Sequence, residues 1–200
     1  MMNAQKLSRR KILQLLTVSM AGSSMTSLNA FGKDIYEKDK PIYIPSGSGK
    51  KGKIGEGSIN FKFDKGQTNG HLGLSESILP AGLIGAPPHY HQNFDEICRV
   101  TQGVLTIMVG TEIFEVKQGD WHLRPKGIVH SFWNSGSQTA KFIEIYTPGG
   151  HERYMSELTH LFESSNRPKP GDLDALAHRH DIVFDWTKLE GIIKKYNVHL

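Results

Sequence analysis

From residue 58 to residue 146, apolar and polar residues alternate in short runs. Ile59, Phe61 and Phe63 sit two apart among polar neighbours, and Leu72, Leu74 and Ile78 do much the same within residues 71–79. Residues i and i+2 of a strand share a face, so each run predicts a half-buried strand. Residues 96–101, 104–109, 112–117 and 140–146 predict further strands, with turns at residues 67–70, at Gly103 and at Gly110-Thr111. Many short strands separated by regular turn signals predict a sandwich or a barrel. After Pro148-Gly149-Gly150 the period changes. Tyr154, Met155, Leu158, Leu161 and Phe162 have helical spacing and one apolar face. Helices are expected over residues 151–162, 172–180 and 186–196. Residues 31–57 are polar and Gly/Ser/Lys-rich and predict a linker, with Ile42-Tyr43-Ile44 as a short edge strand.

Two blocks add chemistry to this pattern. The first runs from Gly85 through Pro87, Pro88, His89, Tyr90, His91 and Asn93 to Glu96, and closes at Gly103. The second runs from Gly119 through Pro125, Gly127 and His130 to Asn134. His89 and His91, two apart, project together from one strand. Residues 92–95 can turn the chain, and antiparallel pairing can then return the Glu96 carboxylate to the imidazoles. His130 arrives from a later strand, after the turn signal Pro125-Lys126-Gly127. Three imidazoles and a carboxylate suit a borderline divalent metal and leave coordination positions for water or substrate.

The spacings His-x-His-x4-Glu-x6-Gly and Gly-x5-Pro-x-Gly-x2-His-x3-Asn resemble the two motifs of the cupin superfamily. The short gap between them, residues 104–118, is similar to that of small bacterial single-domain cupins. Leu83 departs from the pattern where an opening glycine is usual, with Gly82 and Gly85 on either side. The resemblance implies an all-β fold, a cupin double-stranded β-helix (jelly-roll barrel) over residues 58–147, with C-terminal α-helices over residues 148–200. The opening of that tail, Thr147-Pro148-Gly149-Gly150, is similar to the tail of quercetinase-like bacterial cupins.

What the resemblance implies for function follows residue by residue. His89, His91, Glu96 and His130 are the expected ligands of one divalent transition metal, with iron, manganese, nickel, copper and zinc all open. Glu96 is also the expected catalytic base. The expected activity is that of an oxygen-dependent metalloenzyme, a quercetinase-like dioxygenase acting on a small organic substrate. A metal-dependent isomerase or decarboxylase of a sugar or organic acid is the alternative, as is a non-catalytic exported cupin that binds a small ligand. A homodimer is a further expectation from the resemblance.

Other residues are weighed by position. Cys98 shares the inward face of Glu96 and either lines the pocket or fills the core as a small apolar residue, the commoner role. Ile128 and Phe132 share the face of His130 if the strand is regular, and would wall the pocket. Glu76 reads as a solvated strand carboxylate. His122 reads as an ordinary strand residue. His178 and His180, two apart at a helix end, diverge in direction, and His151 and His160 form no recognisable metal pair.

Composition narrows the rest. Hydrophobic residues make up 38% of 200, enough for one core. The formal charge of +4 comes from the N-terminus: residues 1–30 hold Lys6, Arg9, Arg10 and Lys11 and no acid, and the remainder has 20 basic against 20 acidic residues. No basic stripe argues for nucleic acid. One cysteine excludes an internal disulfide. Ser8-Arg9-Arg10-Lys11-Ile12-Leu13-Gln14 resembles a twin-arginine export signal, followed by a short apolar stretch and small residues to Ala30. Export by the twin-arginine machinery to the periplasm or beyond, with cleavage near Ala30 and no stable membrane anchor, is expected.

Overall fold

The computed structural model of the chain describes residues 40–165 and 168–200. The twin-arginine signal, its cleavage position and the first part of the expected linker lie outside the described residues. Among the described residues, eleven strands form two antiparallel sheets. The chain order is β1 (Lys50–Ile54), β2 (Gly57–Phe63), β3 (Gly73–Leu79), β4 (Ile84–His91), β5 (Asp95–Gln102), β6 (Val104–Val109), β7 (Glu112–Lys117), β8 (Trp121–Arg124), β9 (His130–Trp133), β10 (Ala140–Thr147) and β11 (Ile182–Phe184). Three helices, α1 (His151–Ser164), α2 (Pro170–His178) and α3 (Leu189–Tyr196), close the chain, with a 3-10 turn at Trp186–Lys188 before the last.

One sheet has the order β1-β2-β3-β10-β5-β8 and the other β11-β4-β9-β6-β7. Their facing surfaces enclose Leu79, Leu83, Val100, Leu105, Ile107, Val116, Ala140 and Phe142, with Cys98 among them. Cys98 is fully buried and packed in this apolar cluster, so it fills the core. Alternation places these side chains: along β10, Ala140, Phe142, Glu144 and Tyr146 point in while their neighbours are more exposed.

The edge strand falls at Lys50–Ile54, not at residues 42–44, which carry no strand. Its sequence, Lys-Lys-Gly-Lys-Ile, has no alternation to read. It is a strand because its backbone pairs with β2 and because α1 lies against it. A side chain at Gly52 would collide with Thr159 of α1, so glycine allows the close approach. Glu76 is exposed and pairs with Lys62 at 2.9 Å, as a solvated strand acid should.

The helices cover two outer surfaces. In α3, Leu189, Ile192, Ile193 and Tyr196 pack on Ile84, Met108 and Trp133, so this helix seals the outside of the β4-β9-β6 surface. Tyr154 and Leu158 of α1 join Leu176 and Ala177 of α2 and Ile182 of β11 in a third cluster. β11 was not legible in the sequence: three residues are too few to show a period, and its strand geometry comes from pairing with β4. Among the described residues no helix is long and apolar enough to cross a membrane.

Candidate metal centre

Register explains how the site assembles. His89 of β4 lies directly opposite His130 of β9. His91 follows two residues later on the same face. Glu96 comes from β5, after the bend at residues 92–94. The four side chains are buried, and one ligand atom from each lies within 4.8 Å of all the others.

The outer nitrogens fix the rings. His89 Nδ1–H donates to the Pro87 carbonyl at 2.8 Å, and His130 Nδ1–H donates to the Ile128 carbonyl at 2.9 Å. A carbonyl only accepts, so Nδ1 carries the proton in both and each Nε2 keeps its lone pair. This is the outer hydrogen bonding that orients metal-ligating histidines. Burial, aided by the neighbouring His130, holds His89 well below the usual imidazole pKa and therefore neutral.

The inner atoms lack partners. His130 Nε2, both nitrogens of His91 and Glu96 Oε2 are buried without a hydrogen bond. Glu96 Oε2 lies 3.2 Å from His130 Nε2 and 3.8 Å from His91 Nε2. Native interiors rarely leave so many polar atoms unsatisfied in one place. A divalent cation among them would satisfy all of these inner atoms except His91's second nitrogen, so the residues present fit a metal by position and by chemistry.

Behind the ligands stands a buried network. Glu96 pairs across the sheet with Arg124 of β8 on one side and Tyr146 of β10 on the other. Arg124 Nη1 is 3.2 Å from Glu96 Oε2, and its Nη2 donates to Glu144 Oε2. Its guanidinium lies 5.2 Å from the centre of the Phe132 ring. Burial alone would depress the guanidinium, but Glu144 and Glu96 outweigh it and keep Arg124 charged. Burial would likewise raise Glu96. Arg124, with His130 and His91, instead holds that carboxyl well below the usual range. Burial, with the charge of Glu96, pushes Glu144 up to about 8 against the pull of Arg124. Tyr146 is raised by burial and shares a hydrogen bond with Ser75 at 3.1 Å.

The surroundings are aromatic. Phe94 stacks on His91 with centroids 3.7 Å apart and planes 12° apart. Phe184 of β11 lies 5.9 Å from His89 and 4.8 Å from Trp186. The loop carrying Phe94 is tied to the C-terminal segment, because Gln92 N–H and the Asn93 side-chain amide both donate to Asp181. His151, the first residue of α1, enters with its Nε2 at 3.6 Å from Glu96 Oε1.

The pocket-wall residues divide. Phe132 points inward and is half-buried beneath Arg124 and against Phe142. A side chain at Gly85 would collide with its ring, which gives that glycine a packing reason. Ile128 lies in a bend before β9, which begins only at His130, so the strand parity that would have set it on the face of His130 does not reach it, and it is 40% exposed. Its contribution is the backbone carbonyl that orients His130. His122 is half-buried on β8 against Phe114, and burial lowers it to about 4. His180 hydrogen-bonds Glu157 at 3.1 Å between helices, remote from any cluster of metal-ligating type.

Sequence reasoning missed Arg124, Glu144, Tyr146 and His151. On β8 the apolar residues Trp121 and Leu123 face solvent while Arg124 faces in, so alternation read naively would invert the strand. His151 offers no motif; only its place just after Gly149-Gly150, at the start of an amphipathic helix, marks it.

Residues 75–146 match the family model of the cupin domain. An uncharacterized protein of Aquifex aeolicus (strain VF5) is 34% identical over 61 residues, which are 30% of this chain and 50% of that protein. The match thus spans half the length of that curated relative. Among solved structures, a cupin-superfamily sugar phosphate isomerase from Silicibacter pomeroyi aligns at 22% identity, covering 53% of this chain and 75% of that one, with a TM-score of 0.45. A predicted oxalate decarboxylase from Thermotoga maritima aligns at 19% identity, covering 46% and 80%, with a TM-score of 0.44. The fold is a cupin double-stranded β-helix with C-terminal helices.

Proposed function

We propose that this chain is an oxygen-dependent metalloenzyme that acts on a small, acidic enol or phenol. The observation that carries the reading is the buried His89-His91-Glu96-His130 cluster, with two rings pre-oriented by carbonyls and inner atoms left without partners. A redox-active divalent metal bound there would supply the one-electron and oxygen chemistry that side chains lack.

The chain's own residues define the rest. His89, His91 and His130 would hold the ion, and Glu96 would complete the set. Arg124 keeps Glu96 ionised and therefore unprotonated beside a bound hydroxyl. A carboxylate held so low is a weak base, so it would take a proton only from a hydroxyl that a bound metal had already acidified, which favours enols and phenols over alcohols. Phe184, half-buried beside His89, offers a flat apolar surface that suits a planar substrate. Burial of the cluster keeps bulk water from the reacting groups. The basic, acid-free start of the chain supports export of the folded, loaded protein. Mass determination of chain recovered from outside the cytoplasm should show loss of about 30 residues; an intact N-terminus there would refute it.

The test is oxygen uptake by metal-loaded protein over a panel of flavonols, diketones and catechols, beside Glu96→Gln. Uptake by the wild type and its loss in Glu96→Gln is the expected result. Turnover of a sugar or organic acid under strict anaerobiosis would replace this reading with an isomerase or decarboxylase. Tight ligand binding without any turnover would replace it with a binding protein.

A further inference from the structure

Glu96 presents its two oxygens to different parts of the molecule. Oε2 faces the imidazoles of the barrel and Arg124. Oε1 faces His151, which belongs to α1 and lies outside the residues that match the family model. His151 is 7% exposed, its Nδ1 is buried without a hydrogen-bond partner, and its Nε2 is directed at Glu96 Oε1 from 3.6 Å. The ring is confined on three sides by Phe94 at 4.8 Å, Tyr146 at 4.6 Å and Tyr154 at 5.3 Å between centroids. An imidazole so enclosed has aromatic walls, with the His91 ring 6.3 Å away between centroids and Glu96 Oε1 the carboxylate oxygen that faces it. A residue serving only to fill this space would be better made of carbon, because a buried polar group without a firm hydrogen bond is costly.

Building on the metal-centre reading above, we infer that His151 is a positioning residue of the metal centre, holding Glu96 by its outer oxygen while the inner oxygen faces the cation. Carboxylate ligands are oriented by hydrogen bonds from behind, much as histidine ligands are. The barrel supplies such partners for His89 and His130 from its own carbonyls, whereas among the described residues Glu96 Oε1 is faced by the imidazole from α1. The gap of 3.6 Å closes to hydrogen-bond length by a shift of about half an ångström. The first residue of the C-terminal helical region thereby becomes part of a site otherwise made by strands. Cation binding and the docking of α1 should then depend on one another.

The test uses full-length protein and Co2+ as a spectroscopic probe. Co2+ affinity is measured by competition with a chelator, and the visible ligand-field spectrum is recorded, for wild type, His151→Phe and His151→Gln. His151→Phe keeps a ring among the aromatic residues and removes the donor. His151→Gln keeps a donor and removes the ring. Thermal melting without metal reports packing alone. The expected result is an affinity loss of about 10- to 100-fold in His151→Phe with an altered spectrum, and substantial recovery of both in His151→Gln. His151→Phe matching wild type in affinity and spectrum would overturn the role of His151 while leaving the metal centre intact. Equal losses in the two variants, tracking their melting temperatures, would overturn it in favour of plain packing. Absence of saturable Co2+ binding in wild type would overturn the metal-centre reading and this inference together.

Discussion

Along β5 the inward positions pass from Glu96 to Cys98 to Val100, and the barrel interior passes with them from charged to apolar. At the apolar end, Val100, Leu105 and Ile107 are fully buried against Leu79, Val116 and Phe142, and dispersion and the hydrophobic effect hold them. At the charged end, Arg124, Glu96, Glu144 and three imidazoles are as deeply buried, yet several of their atoms have no partner. The first arrangement is stable in itself. The second carries the desolvation of several polar groups and would be completed by a bound cation. The difference teaches which part of the interior makes the fold and which part the fold sustains for chemistry.

Breaking the charged end from behind should have the largest effect. Arg124→Met leaves Glu96 buried without its cation and Glu144 without its donor, and losing one partner of a buried ion pair costs about 3–5 kcal/mol. Denaturant unfolding should show that loss, and the double variant Arg124→Met/Glu144→Gln should recover part of it. A loss below about 1 kcal/mol, the scale of exposed pairs, would mean that the network is wetter than its burial indicates.

Leu105→Ala probes the apolar end. Truncating a fully buried leucine costs about 2–5 kcal/mol through lost transfer energy and the cavity left behind. The separation of the two ends makes a sharper claim: Co2+ affinity in this variant should equal that of wild type. A parallel fall in affinity would show that the ends are mechanically coupled.

Metal removal tests the comparison from the other side. A ligand that binds only the folded chain stabilises it by about 2.7 kcal/mol at one hundred times its dissociation constant. Chelation should therefore lower the melting temperature of wild type and of Leu105→Ala by comparable amounts. His91→Ala should melt at the same temperature with and without chelator. An equal metal-dependent shift in His91→Ala would remove that residue from the ligand set.

The same contrast explains how far the sequence could be read. The four candidate ligands were legible because motif spacing and strand parity work at short range: His89 and His91 share a face by being two apart. The core strands were legible from their alternation. What holds the ligands was not, because it depends on registers between distant strands. Arg124 meets Glu96 through the β5–β8 pairing, and Glu144 reaches Arg124 across β10 and β5. The apolar outward residues Trp121 and Leu123 conceal this, since hydrophobic pattern alone would turn them in. β11 is a strand only because β4 is beside it. His151 reaches the site because α1 begins immediately beyond β10.

The smallest effect is expected at the surface, where a carboxylate with three partners lies close to solvent. Glu157 of α1 accepts from His180 at 3.1 Å, from Arg179 at 3.3 Å and from Arg153 at 3.2 Å. The His180 hydrogen bond, followed by the contact with Arg179, lowers its carboxyl to about 2. Because the folded value lies below the ordinary carboxyl value of 4.5, the contribution is present above about pH 4.5 and fades as pH falls toward 2. Solvent screens these contacts, so Glu157→Gln should cost only about 0.5 kcal/mol at neutral pH and nothing near pH 2. The check is denaturant unfolding of wild type and variant across that range. A cost at neutral pH approaching that of Arg124→Met would mean that the contact between α1 and the residues after α2 is an ionic lock. Glu157 and the buried carboxylates would then differ in position in the fold, not in the effect of burial.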